Sequence, residues 1–220
     1  MQNAVILEPE RRANSAVIWC HGLGADGHDF ASVVPELHLA DDNAIRFIFP
    51  HAPKIPITIN MGMVMPGWYD IKSISEIKRD VDVNGILNSV DRIANIIDQQ
   101  IKQGIASENI ILAGFSQGGV IALYTALMSP HRLAGVLALS TYLPAWEEFA
   151  DKITTANKET DVIVAHGRQD PIVPFIAGQH LAERLKDHGF NVCFHAYDMP
   201  HSVCMEEIAM IANVIKSLNE

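Results

Sequence analysis

The chain predicts an α/β fold, a mainly parallel central sheet with helices on both faces, and three observations carry that expectation. Short β-branched runs alternate with stretches of helical periodicity. Several of those runs are apolar at both odd and even positions, as strands covered on two sides must be. Hydrophobic residues make up 49% of the chain and charged residues 19%, a balance that supports a large core and is the reverse of that in a disordered segment. No internal repeat, low-complexity tract or Pro/Gly/Ser-rich linker interrupts the 220 residues, so they read as one domain over 1–220.

The strand candidates, in order, are "AVIL" at 4, "SAVIWC" at 15, "IRFIF" at 45, "NIILAG" at 109, "LAGVLALS" at 133, "DVIVAHG" at 161 and "NVCFHAY" at 191. Residues 77–103 set Ile77, Val81, Leu87, Val90, Ala94, Ile97 and Ile101 on one helical stripe. Ser73 and Glu76 are spaced as a capping box before it, and Gly104 marks its exit. Residues 175–188 stripe Ile176, Leu181 and Leu185 and end at Gly189; residues 205–218 stripe Met205, Ile208, Ile211, Ile215 and Leu218. Between 50 and 72, "PHAPKIPITINMGMVMPGWYD" holds four prolines and no sustained period, and reads as a long surface excursion of the kind that carries function.

Charge and composition exclude some classes. A net charge of -10 argues against a nucleic-acid partner and against electrostatic docking on an anionic membrane. Residues 109–130 lack charge and are long enough to mimic a membrane span, but a Gly-Ser-Gln-Gly-Gly centre fits a strand, a turn and a buried helix better. Cys20, Cys193 and Cys204 form no C-x-x-C pair and sit among apolar neighbours. They read as reduced, buried thiols of a cytoplasmic protein, and the start of the chain lacks the pattern of a signal peptide.

Ligands in such folds bind beyond the carboxyl ends of the strands, so the strand-to-loop junctions carry the chemistry. At one of them "GFSQG", residues 114–118, matches the G-x-S-x-G nucleophile elbow, a weak motif alone but here preceded by a strand and followed by a helix pattern. Ser116 is the candidate nucleophile. A serine hydroxyl needs a base held by a third group, and on an elbow fold the chain order is serine, acid, histidine. Asp170 lies just past the strand at 161–167, with Glu147, Glu148 and Asp151 as alternatives. His201 follows the last strand and precedes the last helix, whereas His195 falls within that strand and His166 beside the acid loop. Two N–H donors for an oxyanion are expected from Gln117, after the nucleophile, and from Leu23 in the "HGLG" loop after an early strand. That loop lacks the spacing of a phosphate cradle. For metal, His195, Asp198 and His201 lack a defined fourth ligand, so no metal is expected.

"HGLGADGHDF", "PHAPKIPITINMGMVMPGWYD", "AGFSQGGVIALYTAL", "HGRQDPIVP" and "MPHSV" together resemble the phospholipase/carboxylesterase family of α/β hydrolases, which includes acyl-protein thioesterases. The resemblance runs from about residue 15 to the C-terminus. It implies an α/β-hydrolase fold without a large cap domain, a Ser116–His201–Asp170 triad, an acyl-enzyme intermediate and no cofactor. It implies acyl esters or thioesters of lipids or proteins as substrates and allows a homodimer. Arg168 stands where some relatives carry an acidic residue, outside the triad. The apolar loop 59–69, with Met61, Met63, Val64, Met65 and Trp68, is expected to be a flap that receives the acyl chain and to be capable of transient membrane-surface contact. A silent ligand- or membrane-binding protein on the same fold is the alternative reading.

Overall fold

The computed structural model describes residues 4–40, 43–75 and 79–217. In chain order the elements are β1 (Ala4–Leu7), β2 (Ser15–Cys20), α1 (Gly27–Ala31), β3 (Ile45–Pro50), β4 (Lys54–Ile57), β5 (Met63–Pro66), β6 (Ile71–Ile74), β7 (Arg79–Val81), α2 (Val83–Lys102), β8 (Ile110–Phe115), α3 (Gln117–Met128), β9 (Gly135–Leu139), α4 (Trp146–Phe149), β10 (Asp161–Gly167), α5 (Phe175–Asp187), β11 (Val192–Tyr197) and α6 (Met205–Lys216). The seven apolar runs become the strands of one sheet ordered β1-β3-β2-β8-β9-β10-β11. Only β1 is antiparallel to its neighbour, β3; the remaining pairs are parallel.

Alternation of side chains explains the layers. On one face Ala16, Ile18 and Cys20 of β2, Ile110 and Leu112 of β8, and Val162 and Val164 of β10 meet the apolar stripes of α2, α3 and α5. On the other face Val17, Trp19, Ile111, Ala113, Ile163 and Ala165 meet Phe30 of α1 and Ile208, Ile211, Ala212 and Ile215 of α6. The two periods agree, so both faces of the central strands are buried.

Three expectations change. The 50–72 segment is not irregular: β4 and β5 pair as a hairpin outside the main sheet, with Ile57 opposite Met63, and β6 pairs with β7. The first long helix begins at Val83, because Val81 belongs to β7, opposite Ile71; Glu76, Ile77 and Leu218 lie outside the described residues. Of the three thiols only Cys20 is buried, while Cys193 is exposed and Cys204 half-buried. The uncharged 109–130 stretch resolves into β8, a turn and α3, and no helix among the described residues is long and apolar enough to cross a membrane.

One buried carboxyl sets a pH dependence of stability. Glu207, in the first turn of α6, is 0% exposed, and neither of its oxygens has a hydrogen-bond partner among the described residues. Burial pushes its carboxyl up from an ordinary 4.5 to about 8, against the lowering influence of the nearby Cys204 amide. Between those values the folded state holds a proton that the unfolded state has lost, so stability falls as pH rises through the window and levels off above it. Glu207→Gln removes the effect. Urea midpoints at several pH values should show the variant gaining on the wild type by roughly 1–3 kcal/mol from acid to mildly alkaline conditions. A difference that does not vary with pH would show that Glu207 ionises freely in the fold.

Candidate active site

The turn between β8 and α3 is built on glycine because its backbone is crowded. Ser116 has φ 54° and ψ -118°, a region that costs a non-glycine residue about 1–3 kcal/mol. A Cβ at Gly114 would overlap the backbone of Gly118, and one at Gly118 would overlap the carbonyls of Cys20 and His21. Gly119 leaves room for Thr141, whose Cβ a methyl there would approach to 2.6 Å. Thr141 Oγ1 in turn donates to the Ser116 carbonyl at 2.7 Å, and the Ser116 amide donates to Leu139 O at 2.9 Å. The strained turn is thus tied down from β9. Ser116 itself is 8% exposed, at the carboxyl edge of the sheet.

The loop after β2 is held beside it by a buried imidazole. His21 Nδ1 donates to Gly22 O at 2.7 Å and its Nε2 accepts from the Ala52 amide at 3.1 Å, an assignment in which every polar atom of the ring is used. Burial holds its pKa below the ordinary histidine value, as suits a neutral ring. A Cβ on Gly22 would stand 3.6 Å from the Ser116 Cβ, so the loop that carries the Leu23 amide runs alongside the serine. No acceptor among the described residues takes the Leu23 N–H. Gln117 is the first residue of α3, and first-turn amides have no partner within a helix. Its side chain is engaged elsewhere: Oε1 accepts from the Trp68 amide at 2.8 Å and Nε2 donates to Tyr69 O at 2.7 Å.

Asp170 and His201 come together across two loops. His201 Nδ1 donates to Asp170 Oδ2 at 2.6 Å, while Asp170 Oδ1 accepts from the amides of Ile172 and Val173, both at 2.8 Å. Burial alone would raise the Asp170 carboxyl. The His201 hydrogen bond and the two amides outweigh it and hold the group below the ordinary aspartate value. With Nδ1 so engaged, Nε2 of His201 is the ring's free acceptor. The His201 ring lies 4.7 Å from the ring of Phe115, the residue before Ser116. His166 Nε2 donates to Val173 O at 2.9 Å and stands 3.5 Å from Asp170 Oδ2, bracing the acid loop from below. The alternatives lie apart: Glu147 pairs with Arg184 at the surface, and Glu148 and Asp151 are exposed. Arg168 pairs with Asp198 at 3.3 Å and does not touch Asp170.

The apolar loop residues divide into two groups. Met61, Met63 and Val64 are 95%, 59% and 62% exposed on the β4–β5 hairpin. Met65 is half-buried, with its sulfur 3.8 Å from where a Cβ of Gly24 would stand and accepting from Asn60 Nδ2 at 3.4 Å. Trp68 is held differently from the methionines. It is 2% exposed, its ring 5.1 Å from that of His21 and its Nε1 donating to His21 O at 2.8 Å, so it supports the loop after β2. The sequence reading overlooked this bond, the Gln117 side-chain clamp and the Thr141 hydroxyl, none of which forms a local motif.

A model of the phospholipase/carboxylesterase family matches residues 1–219. The chain is 41% identical over 212 residues to acyl-protein thioesterase 1 of Neurospora crassa, covering 93% of this chain and 86% of that one. It is 43% identical over 202 residues to acyl-protein thioesterase 1 of Gibberella zeae, covering 88% and 86%. Among solved structures, Arabidopsis thaliana SOBER1 superposes with a TM-score of 0.89 at 31% identity, covering 94% of this chain and 100% of that one. Zea mays acyl-protein thioesterase 2 shares the fold, with a TM-score of 0.87 at 24% identity over 99% of both chains. With the elbow, the paired histidine and aspartate and the sheet order already in view, the chain belongs to the phospholipase/carboxylesterase family of α/β hydrolases and is a hydrolase of carboxylic esters.

Proposed function

We propose that the protein cleaves acyl esters and thioesters by a Ser116–His201–Asp170 triad, with fatty-acylated proteins or lipids as substrates. The observation that carries this reading is the His201–Asp170 hydrogen bond, formed beside a strained turn that presents Ser116. Ser116 attacks the acyl carbonyl while Nε2 of His201 takes its proton. Asp170 holds the tautomer and stabilises the imidazolium. The Leu23 and Gln117 amides stabilise the oxyanion, aided by the N-terminal end of α3. His201 then protonates the leaving alcohol or thiol and activates the water that frees the acid. The names of the relatives, acyl-protein thioesterases, favour a long acyl chain on a cysteine thiol. The exposed methionines of the hairpin, adjoining the loop after β2, favour that segment as the seat of the chain.

Ser116→Ala should lower hydrolysis of a thioester by about 10⁴-fold or more and abolish labelling by a fluorophosphonate probe, since triad members act as a unit. Near-wild-type turnover in the purified variant would remove Ser116 from the mechanism.

Asp170→Asn separates holding from charge. Its oxygen can still accept from the Ile172 and Val173 amides, which turns its NH₂ toward His201 Nδ1 and forces the wrong tautomer. Turnover should drop by about 10⁴ with the fold intact. Glu147→Gln, at a surface ion pair, should cost less than twofold. The reverse ranking would reassign the acid.

Met63→Ser combined with Met65→Ser should weaken hydrolysis of long-chain substrates by tenfold or more while leaving acetyl and butyryl esters nearly unchanged, since each lost methylene-scale contact is worth about 0.8 kcal/mol. An equal loss at every chain length, with a normal circular-dichroism spectrum, would place the acyl chain elsewhere.

A further inference from the structure

The last strand of the sheet carries a second nucleophile that the hydrolase reading does not use. β11 closes the order of strands, so it is paired on one side only, through β10, with Cys193 opposite Ile163. Val192 and Phe194 turn toward the face covered by α5. By strand alternation Cys193, His195 and Tyr197 share the opposite face. Cys193 Sγ is exposed and lies 3.2 Å from His195 Nε2, within hydrogen-bonding range for sulfur. The His195 and Tyr197 rings lie nearly parallel on that face, 14° apart with centroids at 6.4 Å.

The other two thiols lack this arrangement. Cys20 is fully buried at the end of β2, and burial pushes its thiol far up. Cys204 is half-buried before α6; burial raises its pKa, and the adjacent Glu206 carboxylate adds to the rise. An accessible thiol with an imidazole on its sulfur is the pairing that activates cysteine nucleophiles in general.

We propose that Cys193 is a site of S-thiolation by small-molecule disulfides, with His195 as its proton acceptor. Sγ attacks one sulfur of the disulfide R–S–S–R. A bond forms between Cys193 and that sulfur as the original S–S bond breaks, and the second half departs as R–S⁻. The thiol proton passes to His195 Nε2 and from there to the departing thiolate or, where that thiolate is a weak base, to water, so the products are the protein mixed disulfide and R–SH, or R–S⁻ with a proton released to solvent. The small disulfide is the only oxidant required. Cys193 lies at the start of β11, whereas His201 follows its end, so the adduct forms at the opposite edge of the sheet from Ser116. The adduct site shares no residue with Ser116, Asp170 and His201.

The test uses the full chain with a nitrobenzoate disulfide whose released thiolate absorbs visible light, and oxidised glutathione for mapping. The folded wild type should release one equivalent in a fast phase, and all three thiols should react only after unfolding. Cys193→Ser should lose the fast phase. His195→Gln should keep the one-equivalent amplitude but slow it by about tenfold or more, the scale of a lost proton acceptor. Mass mapping after oxidised glutathione should find the adduct on the peptide that holds Cys193, with ester hydrolysis unchanged. A fast phase that survives Cys193→Ser, an adduct on Cys204 instead, or an unchanged rate in His195→Gln would each overturn the proposal.

Discussion

The contact between the bare backbone of Gly118 and the carbonyls of Cys20 and His21 is where the molecule is drawn together. It lets the first turn of α3 press against the end of β2, which a single methyl group would prevent. His21 O, one of those two carbonyls, also accepts from Trp68 Nε1, and the residue before Gly118, Gln117, grips the Trp68 and Tyr69 backbone with both ends of its amide. Ser89 of α2 closes the set by donating to Trp68 O. Each bond contributes about 1 kcal/mol net, but most of these groups are buried, so an unmade bond would cost more than a made one contributes. The result is a rigid frame in which the Leu23 and Gln117 amides cannot drift independently.

Histidine tautomers are assigned by the same economy of buried partners. His21 uses both nitrogens on backbone groups, and His166 gives Nε2–H to a carbonyl. Burial lowers the pKa of both, which favours their neutral forms beside Ser116 and Asp170. His201 alone among the three is committed at Nδ1 with its other nitrogen left available. Asp170 is saturated by two amides and one imidazole, so its charge is spent on orientation and not on binding a cation from solution.

Much of the fold was legible because the seven main strands are apolar at both parities and the helices between them are striped. The hairpins were not. Pro56 and Pro66 argue against strand, and they are tolerated only because β4 and β5 form a two-stranded ribbon away from the main sheet. Val81 satisfies the helical stripe and the strand alternation equally, so the start of α2 was placed too early. The burial of Trp68 was not legible: the partner that draws it inward, His21, is distant in sequence and no local pattern links them. Cys193 has apolar neighbours, but which strand lies at the sheet's edge is a property of topology, absent from any single run of residues. Ser116, Asp170 and His201 were singled out by chain order and by position at strand ends; the structure pairs His201 with Asp170 and leaves Glu147, Glu148 and Asp151 apart at the surface.

The β4–β5 ribbon is rooted by main-chain bonds, Gly24 N to Pro66 O and Gly67 N to Pro53 O, and by Asp70 on Thr58. None of these involves the side chains at its far end, where Met61 and Gly62 turn the chain with positive φ. Residues there can be exchanged, added or removed without touching the register of the sheet or the frame around Ser116. Among descendants of this scaffold, such a segment is free to drift in length and chemistry at little cost in foldability, which makes it the part of the molecule where new preferences can arise while the catalytic apparatus stays as it is.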